Sequence, residues 1–138
     1  MQPLGTRQNP SYQNGEGTVP PVSYVYYYFI VQSISCTSAN AATGQAVVFS
    51  AVVKNQGAGP TPAGVIVGVG FSVDGTEVTW SDTDTTSLAS GATVSLTANS
   101  GPYNVNTWTA ISGTHRVGAY VDDVNRITES NENNNQLT

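Results

Sequence analysis

The stretch that decides the fold is residues 65–75, which read VIVGVGFSVDG. Its odd positions from Val65 to Val73 are all apolar, whereas glycine and serine occupy most of the even positions. A period of two predicts a β-strand with one face in the core and one face of nearly bare backbone. Asp74-Gly75 then predicts a two-residue hairpin, because a type I′ turn needs positive φ at both central residues.

Similar apolar and β-branched runs flank this hairpin on both sides. They lie at residues 24–35, 47–53, 78–80, 92–98 and 114–121. Turn signals recur between them and no helical period interrupts them, which predicts an all-β, antiparallel, immunoglobulin-like β-sandwich of about seven strands. The first run is long for one strand, so we expect two strands or a kink there.

Composition excludes several classes of protein. The 138 residues include four Lys and Arg against nine Asp and Glu, giving a net charge of −5 with only 9% of residues charged. This argues against a nucleic-acid binder, and the lack of any run of about 18 apolar residues argues against membrane insertion. Cys36 is the only cysteine, so no internal disulfide can form. A polar but weakly charged chain of this kind is typical of secreted β-proteins, which predicts an extracellular or cell-surface location.

The chain divides into a polar leader and one domain. Residues 1–22 are punctuated by proline and glycine and offer almost nothing to bury, whereas residues 23–138 carry all the strand patterns. We therefore expect an N-terminal extension followed by a single sandwich that includes a Tyr-rich first strand. Only Gln136, Leu137 and Thr138 follow the polar run at residues 122–135, so the last strand is expected to be short.

Several ordered motifs resemble the CARDB family, the cell-adhesion-related domains found in bacteria. They are residues 44–50 (GQAVVFS), 53–57 (VKNQG), 61–64 (TPAG), 71–75 (FSVDG), 80–82 (WSD), 88–91 (LASG) and 121–134 (VDDVNRITESNENN). The resemblance implies a secreted or surface-displayed immunoglobulin-like sandwich, of a kind often appended to surface proteins or to enzymes acting on polysaccharides. It implies no catalytic residues. The Tyr-rich leader and the short last strand depart from the family pattern.

No arrangement in the sequence indicates an enzyme. There is no Gly-x-Ser-x-Gly elbow, and the single histidine, His115, begins a predicted strand on the face of Val117 and Ala119. The acidic residues that would serve glycoside hydrolysis lie in predicted turns, where aspartate satisfies its own backbone. We therefore expect a noncatalytic module without a required cofactor.

One oxygen-rich segment is a candidate calcium site. Its candidate ligands are Asp122, Asp123, Asn125 and Glu129. Calcium takes six to eight oxygen ligands, but the spacing fits no EF-hand. Turn capping by Asp and Asn explains the same residues and is the simpler interpretation.

Three aromatic residues are candidates for carbohydrate binding. Trp80, Trp108 and Tyr120 would form a platform for sugar rings, in which case the domain is an accessory module that binds polysaccharide. A core position is the competing interpretation for Trp80, because it shares a predicted face with Val78.

Two further sets of residues suggest self-association. The first is an aromatic strand with rings on both faces, formed by Tyr24, Tyr26, Tyr27, Tyr28 and Phe29. The second is a glycine face formed by Gly68, Gly70 and Gly118. Aromatic side chains cover glycine gaps in sheets, so the strand either covers its own domain or adds to the sheet of a second copy, as in donor-strand complementation. Head-to-tail contacts of the latter kind would build a surface filament.

Overall fold

The computed structural model describes residues 27–138, which contain nine β-strands. The strands are β1 (Phe29–Cys36), β2 (Ala46–Val47), β3 (Phe49–Asn55), β4 (Val69–Val73), β5 (Thr76–Ser81), β6 (Thr93–Thr97), β7 (Trp108–Thr109), β8 (Val117–Val121) and β9 (Gln136–Leu137). A short 3-10 turn, Pro102–Asn104, precedes β7. None of the described residues belongs to a helix long and apolar enough to cross a membrane.

The strands form two facing antiparallel sheets and a short ribbon. One sheet has the order β1-β3-β6, the other has the order β5-β4-β8-β9, and β2 pairs with β7. Burial alternates along β3, and in β4 the apolar residues Val69, Phe71 and Val73 are all buried, so both sheets present an apolar face to the interior. The predicted antiparallel immunoglobulin-like sandwich is confirmed, with nine strands because two-residue segments contribute three of them.

The core lies between the two sheets and centres on three phenylalanines. Phe29, Phe49 and Phe71 are each at most 1% exposed, and the rings of Phe49 and Phe71 lie 6.0 Å apart. Valines from both sheets fill the space around them: Val31, Val47, Val53, Val67, Val69, Val73 and Val121. The apolar face predicted for residues 65–73 is buried from Val67 to Val73.

The central hairpin forms as its sequence predicts. Asp74 and Gly75 both have positive φ, 52° and 86°, and connect β4 directly to β5. The returning strand contains a β-bulge, since Phe71 pairs with Thr79 and Ser72 pairs with Glu77, which leaves Val78 between them without a partner. The alternation of apolar and polar residues along one strand does not predict this extra, unpaired residue.

The two ends of the domain also depart from the simplest expectation. Among the described residues the first strand begins at Phe29, after Tyr27 and Tyr28, and its pairing with β3 shifts register between Val31 and Ser33. The last strand has only Gln136 and Leu137, paired with β8. The predicted domain boundary at residue 22 lies outside the described residues and stays a prediction.

A buried amide fixes the loop after β3. The side chain of Asn55 is 0% exposed, and its Nδ2 donates to the carbonyl oxygens of Gly59 at 2.8 Å and of Leu88 at 2.9 Å. Its Oδ1 accepts a hydrogen bond from the Gly57 backbone at 2.8 Å. One side chain thus satisfies three backbone groups and fastens two loops to the end of the strand.

Candidate functional site

The candidate site is a groove of about 300 Å³ on the outer face of the four-stranded sheet, which we call the outer-face groove. Its floor includes Gly70 of β4 and Gly118 of β8, and its walls include Glu77, Tyr120 and Asp123. Glu77 lies on β5, Tyr120 lies on β8, and Asp123 lies in the loop after β8. The structure therefore gathers into one groove residues that the sequence suggested for three separate purposes.

A row of two aromatic residues and a glycine crosses the sheet beside this groove, whose lining includes Gly70 and Tyr120 but not Trp80. Gly70 pairs with Trp80 of β5 on one side and with Tyr120 of β8 on the other. The flanking residues Thr79 and Ala119 are buried, so Trp80 and Tyr120 belong to the outer face. Two strand spacings separate the aromatic residues, about 10 Å.

Trp80 is consequently not a core residue. It is half-buried on the outer face, whereas Thr79 and Ser81 supply the inward positions of β5, at 0% and 3% exposure. This decides between the two interpretations of Trp80 that its sequence left open. Tyr120 is 36% exposed, so both ends of the row are accessible in part.

Two carboxylates approach the same glycine from different elements. A side chain at Gly70 would place its Cβ 3.2 Å from both Asp123 Oδ2 and Glu77 Oε1. Asp123 Oδ1 is buried and has no hydrogen-bond partner among the described residues, and its nearest cation, Arg126 Nη1, is 3.8 Å away. The groove therefore has negative charge above Gly70, whereas the unpartnered Oδ1 lies nearer to Gly68 and Arg126.

Burial changes how readily these carboxyls ionise. It raises the pKa of Asp123 above its ordinary value, against the lowering effect of the Arg126 guanidinium. Burial also raises the pKa of Glu77, and the Asp123 charge adds to that effect. Both shifts arise because a carboxylate loses water and lies near a like charge.

The loop after β8 places Asp123 over the sheet. The buried Asp122 has a positive φ of 52°, and its two carboxylate oxygens accept hydrogen bonds from the backbone of Arg126 and Ile127, both at 2.9 Å. Asn125 also has positive φ, and its backbone donates to the Asp122 carbonyl at 2.8 Å. The two residues form a tight turn that carries Asp123 and Arg126 onto the outer face.

This turn gives one of the residues proposed as calcium ligands, Asp122, another role. Asp122 uses both oxygens on backbone N–H groups, and Glu129 points to a different set of partners, described below. Among residues 27–138, no three His, Cys, Asp or Glu side chains are grouped to hold a metal ion. Capping of the turn is the role that the structure shows for Asp122.

Arg126 covers Gly68, a second glycine of the outer face. A Cβ at Gly68 would lie 2.6 Å from Arg126 Nη1 and 3.0 Å from Asp123 Oδ1, so a side chain there would have to displace this ion pair. At Gly118, the corresponding contacts are Ser72 Oγ at 2.6 Å and the Thr138 side chain at 3.0 Å. Side chains of the same domain thus border the glycines that the sequence suggested were bare.

Glu129 joins the two ends of the sandwich. Its Oε2 accepts a hydrogen bond from the backbone N–H of Phe29 at 2.6 Å, and its Oε1 accepts one from Asn135 Nδ2 at 2.7 Å. The residue is only 8% exposed, and burial raises its pKa to about 7. We call this arrangement the Glu129 latch. Sequence reasoning missed it because its partner at Phe29 is 100 residues away.

The Tyr-rich segment is described only from Tyr27 onward. Phe29 lies in the core, Tyr27 and Tyr28 are half-buried, and Tyr24 and Tyr26 lie outside the described residues. The carbonyl of Tyr27 accepts a hydrogen bond from Ser130 and that of Tyr28 accepts one from Gln56, at 2.9 and 2.8 Å. The described part of this segment therefore belongs to its own sandwich.

Trp108 lies apart from the aromatic row. It is in the β2-β7 ribbon, with its ring 6.2 Å from that of Phe49 and 5.3 Å from that of His115. A second cleft of about 490 Å³ is lined by these residues together with Cys36. Of the three residues suggested for carbohydrate binding, only Trp80 and Tyr120 share one surface.

His115 fastens the hairpin turn to this second cleft. Its Nδ1 lies 2.7 Å from Asp74 Oδ2 and its Nε2 lies 3.2 Å from the Ile111 carbonyl oxygen. Both ring nitrogens face acceptors, which only the doubly protonated ring can satisfy. The hydrogen bond to Asp74 accordingly raises the pKa of His115, against the effect of its partial burial.

Neutralising Asp74 should make the domain less sensitive to mildly alkaline pH. The pKa of His115 is raised in the folded state, so the ion pair stabilises the fold fully at pH values below the unfolded-state pKa near 6.5. This stabilisation is lost as the pH rises through the folded-state pKa. Asp74→Asn keeps a residue suited to positive φ but removes the charge. We expect the melting temperature of the wild type to fall more between pH 6 and 9 than that of the variant. Equal slopes would contradict this role of the ion pair.

Comparison with known proteins supports the fold and the family. No curated protein matches the chain. A crystal structure of a CARDB domain from Pyrococcus furiosus, solved in complex with di-metal ions, is 22% identical, with a TM-score of 0.55 over 83% of this chain and 91% of that one. At that identity the likeness concerns the fold. The family model named CARDB matches residues 28–138, most of the chain, and the protein therefore belongs to the CARDB family.

Proposed function

We propose that this domain is a noncatalytic, extracellular adhesion module that binds a polysaccharide along the outer face of its four-stranded sheet. The observation that carries the proposal is the cross-strand row of Trp80, Gly70 and Tyr120. Membership of the CARDB family and the weakly charged, polar composition support the noncatalytic and extracellular parts of the proposal.

The row has the chemistry that sugar recognition needs. Sugar rings have apolar C–H faces that pack on aromatic side chains, and their hydroxyls need hydrogen-bond partners at the edges. Gly70 lacks a side chain, so Glu77 and Asp123 bring carboxylate oxygens close over the sheet between Trp80 and Tyr120. A chain of sugars that crosses the row would meet these oxygens as hydrogen-bond acceptors.

Removing one aromatic residue of the row should weaken binding at least tenfold. A panel of soluble polysaccharides is titrated against the wild type and followed by tryptophan fluorescence and calorimetry. For a ligand that binds, Trp80→Ala and Tyr120→Ala are each expected to raise Kd by about tenfold or more, or about 1.4 kcal/mol. The matched control is Trp108→Phe, which changes the tryptophan outside the row. An equal loss in this control, or no binding across the panel, would refute the proposal.

A second candidate function is head-to-tail assembly through the N-terminal segment. The observation in its favour is the same outer-face groove, whose lining includes Gln136 and Leu137 of the two-residue edge strand β9. Tyr27 packs partly against its own core, so only residues 1–26 are available for a second copy. A contact between different surfaces of neighbouring copies builds an open filament when the rotation that relates the copies does not close into a ring.

Deleting the leader tests assembly directly. The full chain is compared with a version that begins at Tyr27 by sedimentation velocity and negative-stain electron microscopy. If residues 1–26 join the copies, oligomers or filaments form only with the full chain. Identical monomers from both versions would reject assembly and leave polysaccharide binding as the function.

A further inference from the structure

We propose that the outer-face groove selects a polysaccharide whose sugar above Gly70 carries an ammonium group, so that an amino-sugar polymer binds in preference to a neutral or acidic one. The inference rests on the proposed function and specifies its substrate class. It follows from the aromatic row and the two carboxylates converging on one glycine of that row.

The first step of the argument is position. Trp80 and Tyr120 flank Gly70 within the sheet. Glu77 of β5 and Asp123 of the loop after β8 both approach Gly70. A sugar ring that rests on the row would therefore place one of its substituents above Gly70. That substituent meets two carboxylate oxygens, each 3.2 Å from the point where a Cβ would be.

The second step is hydrogen-bond chemistry. The carboxylate oxygens accept hydrogen bonds and cannot donate, and the side chain of Asp123 is only 11% exposed, with Oδ2 rather than the buried Oδ1 nearest to Gly70. A hydroxyl donates one hydrogen, whereas an ammonium group donates three with a positive charge. An ammonium group therefore supplies charge-assisted hydrogen bonds to both carboxylates at once. An acetamido group at the same place has one N–H and no charge.

The third step is the charge of the surroundings. Arg126 is the cation nearest to Asp123, at 3.8 Å, and its guanidinium lies over Gly68 rather than over Gly70. Asp82 and Asp122 add negative charge near Asp123, and the whole chain has a net charge of −5. A uronic acid or a sulfated sugar would be repelled from this groove, while a cationic sugar would be attracted.

The test uses oligosaccharides that differ in a single group. Hexamers of β-1,4-linked glucosamine and of its N-acetylated form share a backbone, and only the first carries ammonium groups. Calorimetry is carried out at about pH 6, with an oligomer of galacturonic acid as the acidic comparison. We expect the wild type to bind the glucosamine hexamer at least tenfold more tightly than the N-acetylated hexamer, and to show no binding of the uronate oligomer.

Variants separate selectivity from binding itself. Asp123→Asn and Glu77→Gln should each reduce the preference to less than about threefold, because each weakens the binding of the glucosamine hexamer more than that of the N-acetylated hexamer. Asp84→Asn is the matched control, since it removes the same charge from a turn where Asp84 accepts a hydrogen bond from Thr86. The control should keep the wild-type preference.

Each result bears on one of the two proposals. Equal affinity for the two hexamers would overturn the ammonium preference but leave polysaccharide binding in place. The ammonium preference would also be overturned if it survived Trp80→Ala, or if Asp84→Asn reduced it as much as Asp123→Asn does. Either result would show that any polycation is attracted to this acidic protein. Failure of every glycan to bind would refute the proposed function itself.

Discussion

Replacing Asn55 by aspartate is expected to lower the free energy of unfolding by about 4 kcal/mol. The substitution keeps the shape of the side chain but removes its NH2 group. The carbonyls of Gly59 and Leu88 then lose their donor and face a carboxylate oxygen in a site that is 0% exposed. Since a buried acceptor without a donor is costly and a buried charge more so, both effects destabilise the folded state.

Urea denaturation of the wild type and the variant measures the effect. Asn106→Ala is the matched control, because Asn106 also donates a side-chain hydrogen bond to a carbonyl, that of Ala98 at 3.2 Å, from an exposed position. Its loss should cost about 1 kcal/mol or less. A change in Asn55→Asp no larger than that of the control would mean that the loops at residues 57–59 and 88 do not depend on this amide.

The Glu129 latch predicts a domain that is more stable in mild acid than at neutral pH. Burial raises the pKa of Glu129 from about 4.5 to about 7 in the folded state. Between these values the folded protein binds more protons than the unfolded chain, so stability falls as pH rises through this range. We expect a loss of about 2 kcal/mol between pH 4.5 and 7.5, after allowance for the partial access of water.

Two variants separate the charge of Glu129 from its hydrogen bonds. In Glu129→Gln the amide oxygen still accepts from Phe29, and its NH2 donates to Asn135 Oδ1, which has no partner in the described structure, once the Asn135 amide has rotated. This variant should lose most of the pH dependence below pH 6.5 and remain folded. Glu129→Ala leaves the Phe29 N–H unsatisfied and should cost about 3 kcal/mol at pH 5.

Chemical denaturation at closely spaced pH values provides the measurement. The His115–Asp74 pair acts in the same direction at higher pH, so the comparison is also made in the Asp74→Asn background. If the stability of Glu129→Gln declined with pH as steeply as that of the wild type, the latch would not be the titrating group.

The strands could be predicted from sequence where burial alternates along one segment. Residues 67–73 and the Asp74-Gly75 turn follow from local rules, since a two-residue period and two positive φ angles need no distant partner. Trp80 could not be placed in this way. The bulge at Val78 shifts the register of β5, so the inward positions are held by Thr79 and Ser81.

The candidate site was predictable only in parts. Gly70, Tyr120 and Asp123 were each singled out, but for different roles, because nothing in the sequence shows that they meet at one groove. Glu77 joins them only through the pairing of β4 with β5. The raised pKa of Glu129 also has a tertiary cause, since the burial that produces it depends on a β1 strand 100 residues earlier.

The hydrogen bonds at residues 129 and 130 determine how the domain bears mechanical load. Tension on the chain at Tyr27 reaches the Ser130 bond to the Tyr27 carbonyl and the Glu129 bond to the Phe29 amide at the very start of β1. The pull is thus shared with the C-terminal segment before it acts on the ladder between β1 and β3. A module that anchors a surface structure by its N-terminal side would resist being unzipped from that end, and would resist it more strongly wherever its surroundings are acidic.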